Sequence, residues 1–177
     1  MRPLPPAPLR DEPWANGAGR TTVLACAPNV QDWRWRFSIA HIETEAAFSD
    51  FTDCTRQLAP LDAPLSLQFG AQEHTLQRLQ VLRFAGTPAP RARLPAGPTR
   101  AANLITRGDL AVTLLVRPLV GAMLLPQAPQ WLLYLLAGRA SVCQGDDERA
   151  LQAGDGLLLD GAARLSGAGE VLLLRFD

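Results

Sequence analysis

The stretch WLLYLLAGRASVCQGDDERALQAGDGLLLDGAARLSGAGEVLLLRF, Trp131 to Phe176, divides into four apolar runs separated by three turn signals. Gly138-Arg139 punctuates the first pair of runs, Gly145-Asp146 begins a tight polar loop after Cys143, and Ala153-Gly154-Asp155-Gly156 makes the third break. Glycine takes φ > 0 without a Cβ clash, and aspartate satisfies neighbouring backbone donors with its carboxylate, so each break has a mechanism. The runs hold no amphipathic helical period and read as strands.

The same pattern continues outward. Strands are expected at Arg20–Ala25, Trp33–Ile42, Leu65–Phe69, Val81–Phe84, Leu110–Val116, Trp131–Ala137, Ala140–Cys143, Gly156–Leu159 and Glu170–Phe176. The chain is therefore all-β, and short strands at this spacing suit a sandwich or barrel. Its 177 residues are enough for one medium domain or two small fused ones. Hydrophobic residues make up 47% and charged ones 19%, which excludes disorder for most of the chain. Basic and acidic side chains balance at 17 each, so no phosphate-neutralising surface and no basic membrane-surface helix is expected. Every basic residue is arginine, which excludes Schiff-base lysine chemistry and a phosphate-loop lysine.

The opening MRPLPPAPLRDEP places prolines where a signal peptide needs an apolar run, and no window is apolar enough to span a bilayer, so a cytoplasmic location is expected. Cys26, Cys54 and Cys143 are odd in number, far apart and without a CxxC pair; they read as reduced and mostly buried.

The succession strand, glycine, strand, "L-x-A-G-D", strand, glycine, strand in the last third resembles the second half of a cupin barrel. A weaker copy lies between about Arg56 and Val116, with Pro60-Leu61-Asp62 and Gly86 as its turns. The expected architecture is thus a bicupin: one cupin-like barrel over residues 1–117 carrying a pocket, and a second over 118–177. Cupins hold a metal through two histidines of an H-x-H run, a glutamate, and a third histidine after the G-D turn. Aligned on Gly154-Asp155 and Gly161, that third position is Arg164, which has no lone pair to give. Where the earlier ligands would fall stand Leu125, Pro126 and Gln127. No metal and no other cofactor is expected.

His41 and His74 are the only histidines. The alternation of WRWRFSIAHI puts Arg34, Arg36, Ser38, Ala40 and Ile42 on one face, with His41 among Trp33, Trp35, Phe37 and Ile39 on the other, so His41 reads as a core residue rather than a ligand. His74 follows Gly70-Ala71-Gln72-Glu73 in an expected hairpin loop. No serine lies in a G-x-S-x-G elbow, and no strong catalytic signature is present.

Four blocks in the first 110 positions exceed what strand formation requires. They are Pro13-Trp14-Ala15-Asn16-Gly17-Ala18-Gly19-Arg20-Thr21; Trp35-Arg36-Phe37-Ser38-Ile39-Ala40; Phe48-Ser49-Asp50-Phe51 followed by Arg56; and Gly97-Pro98-Thr99-Arg100-Ala101-Ala102-Asn103-Leu104-Ile105-Thr106-Arg107. Their order and wording resemble the HutD/Ves family, with its "P-W-x-N-G-x-G-x-T", "W-R-x-S-x-A", "F-S-x-F-x-x-x-x-R" and "G-P-x-x-D-F-N-x-M-x-R" blocks. The resemblance implies a two-barrel cupin fold and no firmly attached enzymatic activity. One branch is linked to histidine utilisation, with a proposed regulatory role and binding of a small formylated or acidic metabolite; another carries a stress-induced label. Ala15, Val23 and Ala101-Ala102 depart from the pattern where the family has Lys, Glu and Asp-Phe.

The leading expectation is a metal-free small-molecule-binding or regulatory protein. Its site residues are Asn16, Arg36, Ser38, Arg56, Asn103 and Arg107, taking a small carboxylate metabolite, because guanidinium grips carboxylate bidentately. Two other readings compete. A metal-independent isomerase or epimerase would need a general base such as His41, Glu43 or Glu45. An interaction protein would use exposed strand edges, through which a homodimer could form.

Overall fold

A computed structural model describes residues 1–4, 11–14 and 16–177. Ala15, one of the departures from the family wording, lies outside the described residues. Among the described residues every regular element is a strand. These are β1 (Arg2–Pro3), β2 (Asp11–Pro13), β3 (Gly19–Pro28), β4 (Trp33–Ile42), β5 (Ala46–Ala47), β6 (Cys54–Pro60), β7 (Leu65–Phe69) and β8 (Gln72–Leu76). They continue as β9 (Leu82–Ala85), β10 (Arg91–Arg93), β11 (Thr99–Arg107), β12 (Val112–Leu125), β13 (Gln130–Gln144), β14 (Asp147–Gln152), β15 (Gly156–Leu159) and β16 (Ala163–Phe176). No helix forms among them, so none is long and apolar enough to cross a membrane.

The strands fall into two compact units. The first runs to Leu110; the second holds the N-terminal strand β1 together with Ala111–Asp177.

In the first unit, β2-β3-β4-β11-β6-β9 form a six-stranded sheet and β5-β10-β7-β8 a four-stranded one. Ala40, Leu58 and Ala101 from the larger sheet and Leu65, Leu67, Leu76 and Ala92 from the smaller share one buried cluster, so the unit is a sandwich over part of its area. Ser38 of β4 lies opposite Asn103 of β11, which lies opposite Leu58 of β6. One pair further along, Arg36, Ile105 and Arg56 stand in a second cross-strand row. Side chains alternate across a strand, so both rows point to one face.

In the second unit a single sheet runs β1-β15-β13-β16-β12, with β14 also paired to β13. Its core gathers Leu119, Leu125, Trp131, Leu133, Leu135, Val142, Leu159, Leu165, Val171 and Leu173. None of the three sheets closes into a ring of paired strands among the described residues.

Three expectations are corrected. Gly138-Arg139 is not a turn: β13 passes through it, with Gly138 facing Gly169 of β16 and a register shift between Leu135 and Ala137. A Cβ on Gly138 would run into the Ala168 carbonyl oxygen, so this glycine permits close backbone approach rather than reversing the chain. His74 lies within β8 rather than in a loop, exposed, its ring edge-on to Phe69 at 5.9 Å. Cys26, Cys54 and Cys143 are unpaired, but each is partly exposed, lying near the end of its strand. β12 continues through position 117 without a break.

Candidate functional site

Over the face of the larger sheet that carries Ser38 and Ala40 lies a pocket of about 430 Å³. Its floor is the row pattern of β4, β11 and β6: Arg36, Ser38, Asn103, Ile105, Arg56 and Leu58. One wall is Glu12, Pro13, Trp14 and Asn16, the other Ala47, Phe48, Ser49 and Phe51. The walls are tied by an edge-on Trp14–Phe48 contact with centroids 5.7 Å apart and by Asn16 Nδ2 donating to the Ala47 carbonyl at 3.4 Å.

Arg56 sits at the bottom with 4% of its surface exposed. Nη2 donates to Asn103 Oδ1 at 3.3 Å and Nη1 to the Ser49 carbonyl at 3.4 Å, while Nε has no partner. No carboxylate pairs with it among the described residues. Instead its Cζ lies 5.0, 5.6 and 5.3 Å from the ring centres of Phe48, Phe51 and Phe84, a cation–π surround. Burial lowers its pKa to about 10, since desolvation disfavours the charged form, yet it stays protonated at neutral pH.

Arg36, less deeply placed, donates from Nη2 to Glu12 Oε2 at 2.8 Å. Ser38 Oγ donates to the Asn103 backbone carbonyl at 3.4 Å, which fixes β4 to β11 across the floor. Asn16 is a turn residue as well as a lining one: its Oδ1 accepts from the Ala18 amide at 3.1 Å. Trp14 donates its indole N–H to Thr21 Oγ1 at 2.8 Å, so both are held by each other.

Five of the six expected site residues, Asn16, Arg36, Ser38, Arg56 and Asn103, therefore line one cavity. Arg107 does not. Although it shares the strand face of Asn103 and Ile105, it lies beyond the pocket. Its guanidinium stacks 4.2 Å over the Trp33 ring and approaches Asp32 Oδ1 at 3.8 Å. The residue that sequence reasoning missed is Glu12; its only signal is a position immediately before the Pro13-Trp14 block. His41, Glu43 and Glu45 are not among the lining residues, and Glu45 Oε1 accepts from the Leu94 amide at 3.4 Å. Val23 faces Ser38 across β3 and β4 but is itself buried away from the cavity. Among the described residues no three His, Cys, Asp or Glu side chains group as metal ligands would.

The all-β fold is cupin-like by its likeness to solved structures. A cupin 2 conserved barrel domain protein from Leptotrichia buccalis superposes with a TM-score of 0.57 at 10% identity, covering 89% of this chain and 88% of that one. Much nearer are a conserved protein of unknown function from Pseudomonas aeruginosa PAO1 and HutD from Pseudomonas fluorescens SBW25. The first gives a TM-score of 0.90 at 24% identity, over 99% of this chain and 98% of that one. HutD gives 0.74 at 25% identity, over 93% and 92%. The HutD family model matches residues 7–173, and the chain belongs to that family. Protein Ves from Cronobacter sakazakii is 38% identical over 99 residues, 54% of this chain and 55% of that protein. The chain spans about half the length of the curated relatives it matches.

Proposed function

We propose that this HutD-family chain is a small-molecule-binding protein of regulatory type, its two units both cupin-like barrels, and that the pocket of the first unit takes a small carboxylate. The observation that carries the reading is Arg56: a guanidinium 4% exposed, unpaired by any described carboxylate, with one buried N–H unsatisfied. Burying a cation without a counter-charge is costly, so a site built this way recruits an anion. Asn103 and Arg36 on the same floor supply further donors. HutD from Pseudomonas fluorescens SBW25 was determined in a formate condition, and formate is the smallest carboxylate. A cavity of about 430 Å³ has room for a larger one, with Trp14, Phe48 and Phe51 offering apolar contact. A link to histidine utilisation is part of the proposal through the family.

Isothermal titration with formylglutamate, glutamate, urocanate and formate tests it. A charge-assisted hydrogen bond contributes roughly 1.5–3 kcal/mol, so Arg56→Ala is expected to weaken binding about ten- to a hundredfold. If none of the four binds below millimolar concentration, or if Arg56→Ala binds as the parent does, Arg56 is a structural residue and the proposal fails.

A further inference from the structure

Among the described lining residues three carry charge: Glu12, Arg36 and Arg56. The two arginines stand in one cross-strand row, both opposite Ile105 of β11, so two strand spacings, roughly 9–10 Å, separate their backbones. They are committed differently. Among the described residues Arg56 has no carboxylate partner, whereas Arg36, with its side chain 19% exposed, already holds the Glu12 carboxylate at 2.8 Å. Glu12 comes from the three-residue strand β2, which among the described residues pairs only with β3 at the edge of the sheet.

We infer that Glu12 is a specificity residue: a built-in carboxylate that fills the Arg36 position and restricts the pocket to ligands bearing one anionic group. The inference rests on the carboxylate reading of the same site. With two guanidinium groups and one carboxylate the lining is one positive charge in excess. A monoanion at Arg56 neutralises it and leaves the Glu12–Arg36 pair intact. A dianion brings a second negative charge against Glu12 in a half-buried site, where like charges repel strongly. Its second carboxylate gains Arg36 only by evicting Glu12, exchanging one charge-assisted bond for another with no net gain.

Succinate and its monoamide, succinamate, have the same length and shape and differ by one charge, which makes their affinity ratio the direct readout. Titrations at neutral pH use the full chain and two variants, Glu12→Gln and Glu12→Ala. The half-exposed edge position of Glu12 makes both variants compatible with folding, which melting curves check. In the parent, succinamate is expected to bind at least as tightly as succinate. In both variants the freed Arg36 is expected to shift the ratio toward succinate by about tenfold or more. An unchanged ratio, with binding retained, overturns the role of Glu12 and leaves the carboxylate site standing. If neither compound binds the parent or the variants at millimolar concentration, the carboxylate reading falls and this inference with it.

Discussion

At Arg56 ligand recognition and stability pull in opposite directions. Its pKa is lowered to about 10, with burial as the leading cause, so folding disfavours the protonated form. For a base with a depressed folded value that penalty is present at every pH below the folded pKa, including neutrality. Replacing a buried ion pair by well-packed apolar groups is often neutral or stabilising by about 1–4 kcal/mol, and a buried cation with no carboxylate partner has less Coulombic attraction still to lose. Arg56→Met is therefore expected to melt at or above the parent temperature without ligand while losing carboxylate affinity. A fall of several degrees in thermal unfolding would mean that the Asn103, Ser49 and phenylalanine contacts outweigh the desolvation. Asp62 shows the opposite sign. Arg100 donates to it from Nε at 2.9 Å, Nη2 at 2.8 Å and its backbone amide at 2.9 Å. The side-chain hydrogen bond from Arg100 is the first cause holding the carboxyl below its usual range. A depressed carboxylate stabilises the fold above its unfolded value, about 3.9, and that contribution disappears as pH falls through the folded value. The pair is half exposed, so Asp62→Asn should cost about 1 kcal/mol or less at pH 7. The difference in melting temperature from the parent should close as pH is lowered from 5 toward 2.

At the scale of the element, two of the three strands that floor the pocket break the hydrophobic pattern. The span of β4 was legible because WRWRFSIAHI alternates, but its burial was not: Ser38, Ala40 and Ile42 are as buried as Phe37 and Ile39, and His41, read as core, is only partly buried. β6 (CTRQLAP) and β11 (TRAANLITR) were not predicted as strands, since their inward faces carry Arg56 and Asn103 where a core would have leucine. The candidate site was readable only through the wording of its blocks, and Glu12, in a strand of three residues within a proline-rich start, carried no period at all. Glycines misled for a related reason: one that lets backbones meet looks the same in sequence as one that turns the chain, as at Gly138. Gly19 belongs to the first kind. A Cβ there would strike the His41 carbonyl oxygen across β3 and β4, and its own carbonyl accepts from the Trp14 amide at 2.9 Å. Gly19→Ala is expected to cost about 1–3 kcal/mol, as overpacking does, and to loosen the Trp14 wall. Chemical denaturation and the ligand titration should register both effects; an unaltered midpoint would show that the strands part there without penalty.

Over the whole molecule, the chain begins in the unit where it also ends. Arg2 and Pro3 of β1 pair with Leu158 and Leu157 of β15, the Leu4 amide donates to the Gly156 carbonyl at 2.9 Å, and Met1 packs against the unit's apolar cluster. β1 thereby covers what would otherwise be an open strand edge, and it does so from the far side of some hundred residues that form the other unit. Fragments starting near residue 118 would lack both β1 and half of β12, which pairs with β16 along its whole length. Trp131 is the one tryptophan in this unit, while Trp14, Trp33 and Trp35 report on the other. Deleting Arg2–Leu4 removes a few backbone hydrogen bonds and some apolar burial, a loss of about 1–2 kcal/mol. For a unit of this size each kcal/mol lowers the midpoint by roughly 4–8 °C. Fluorescence melts of the deletion, read against the same deletion carrying Trp131→Phe so that the Trp131 signal can be separated, should show that fall. If the Trp131 midpoint stays where it is in the full chain, β1 merely lies along β15 and contributes nothing to the unit's stability.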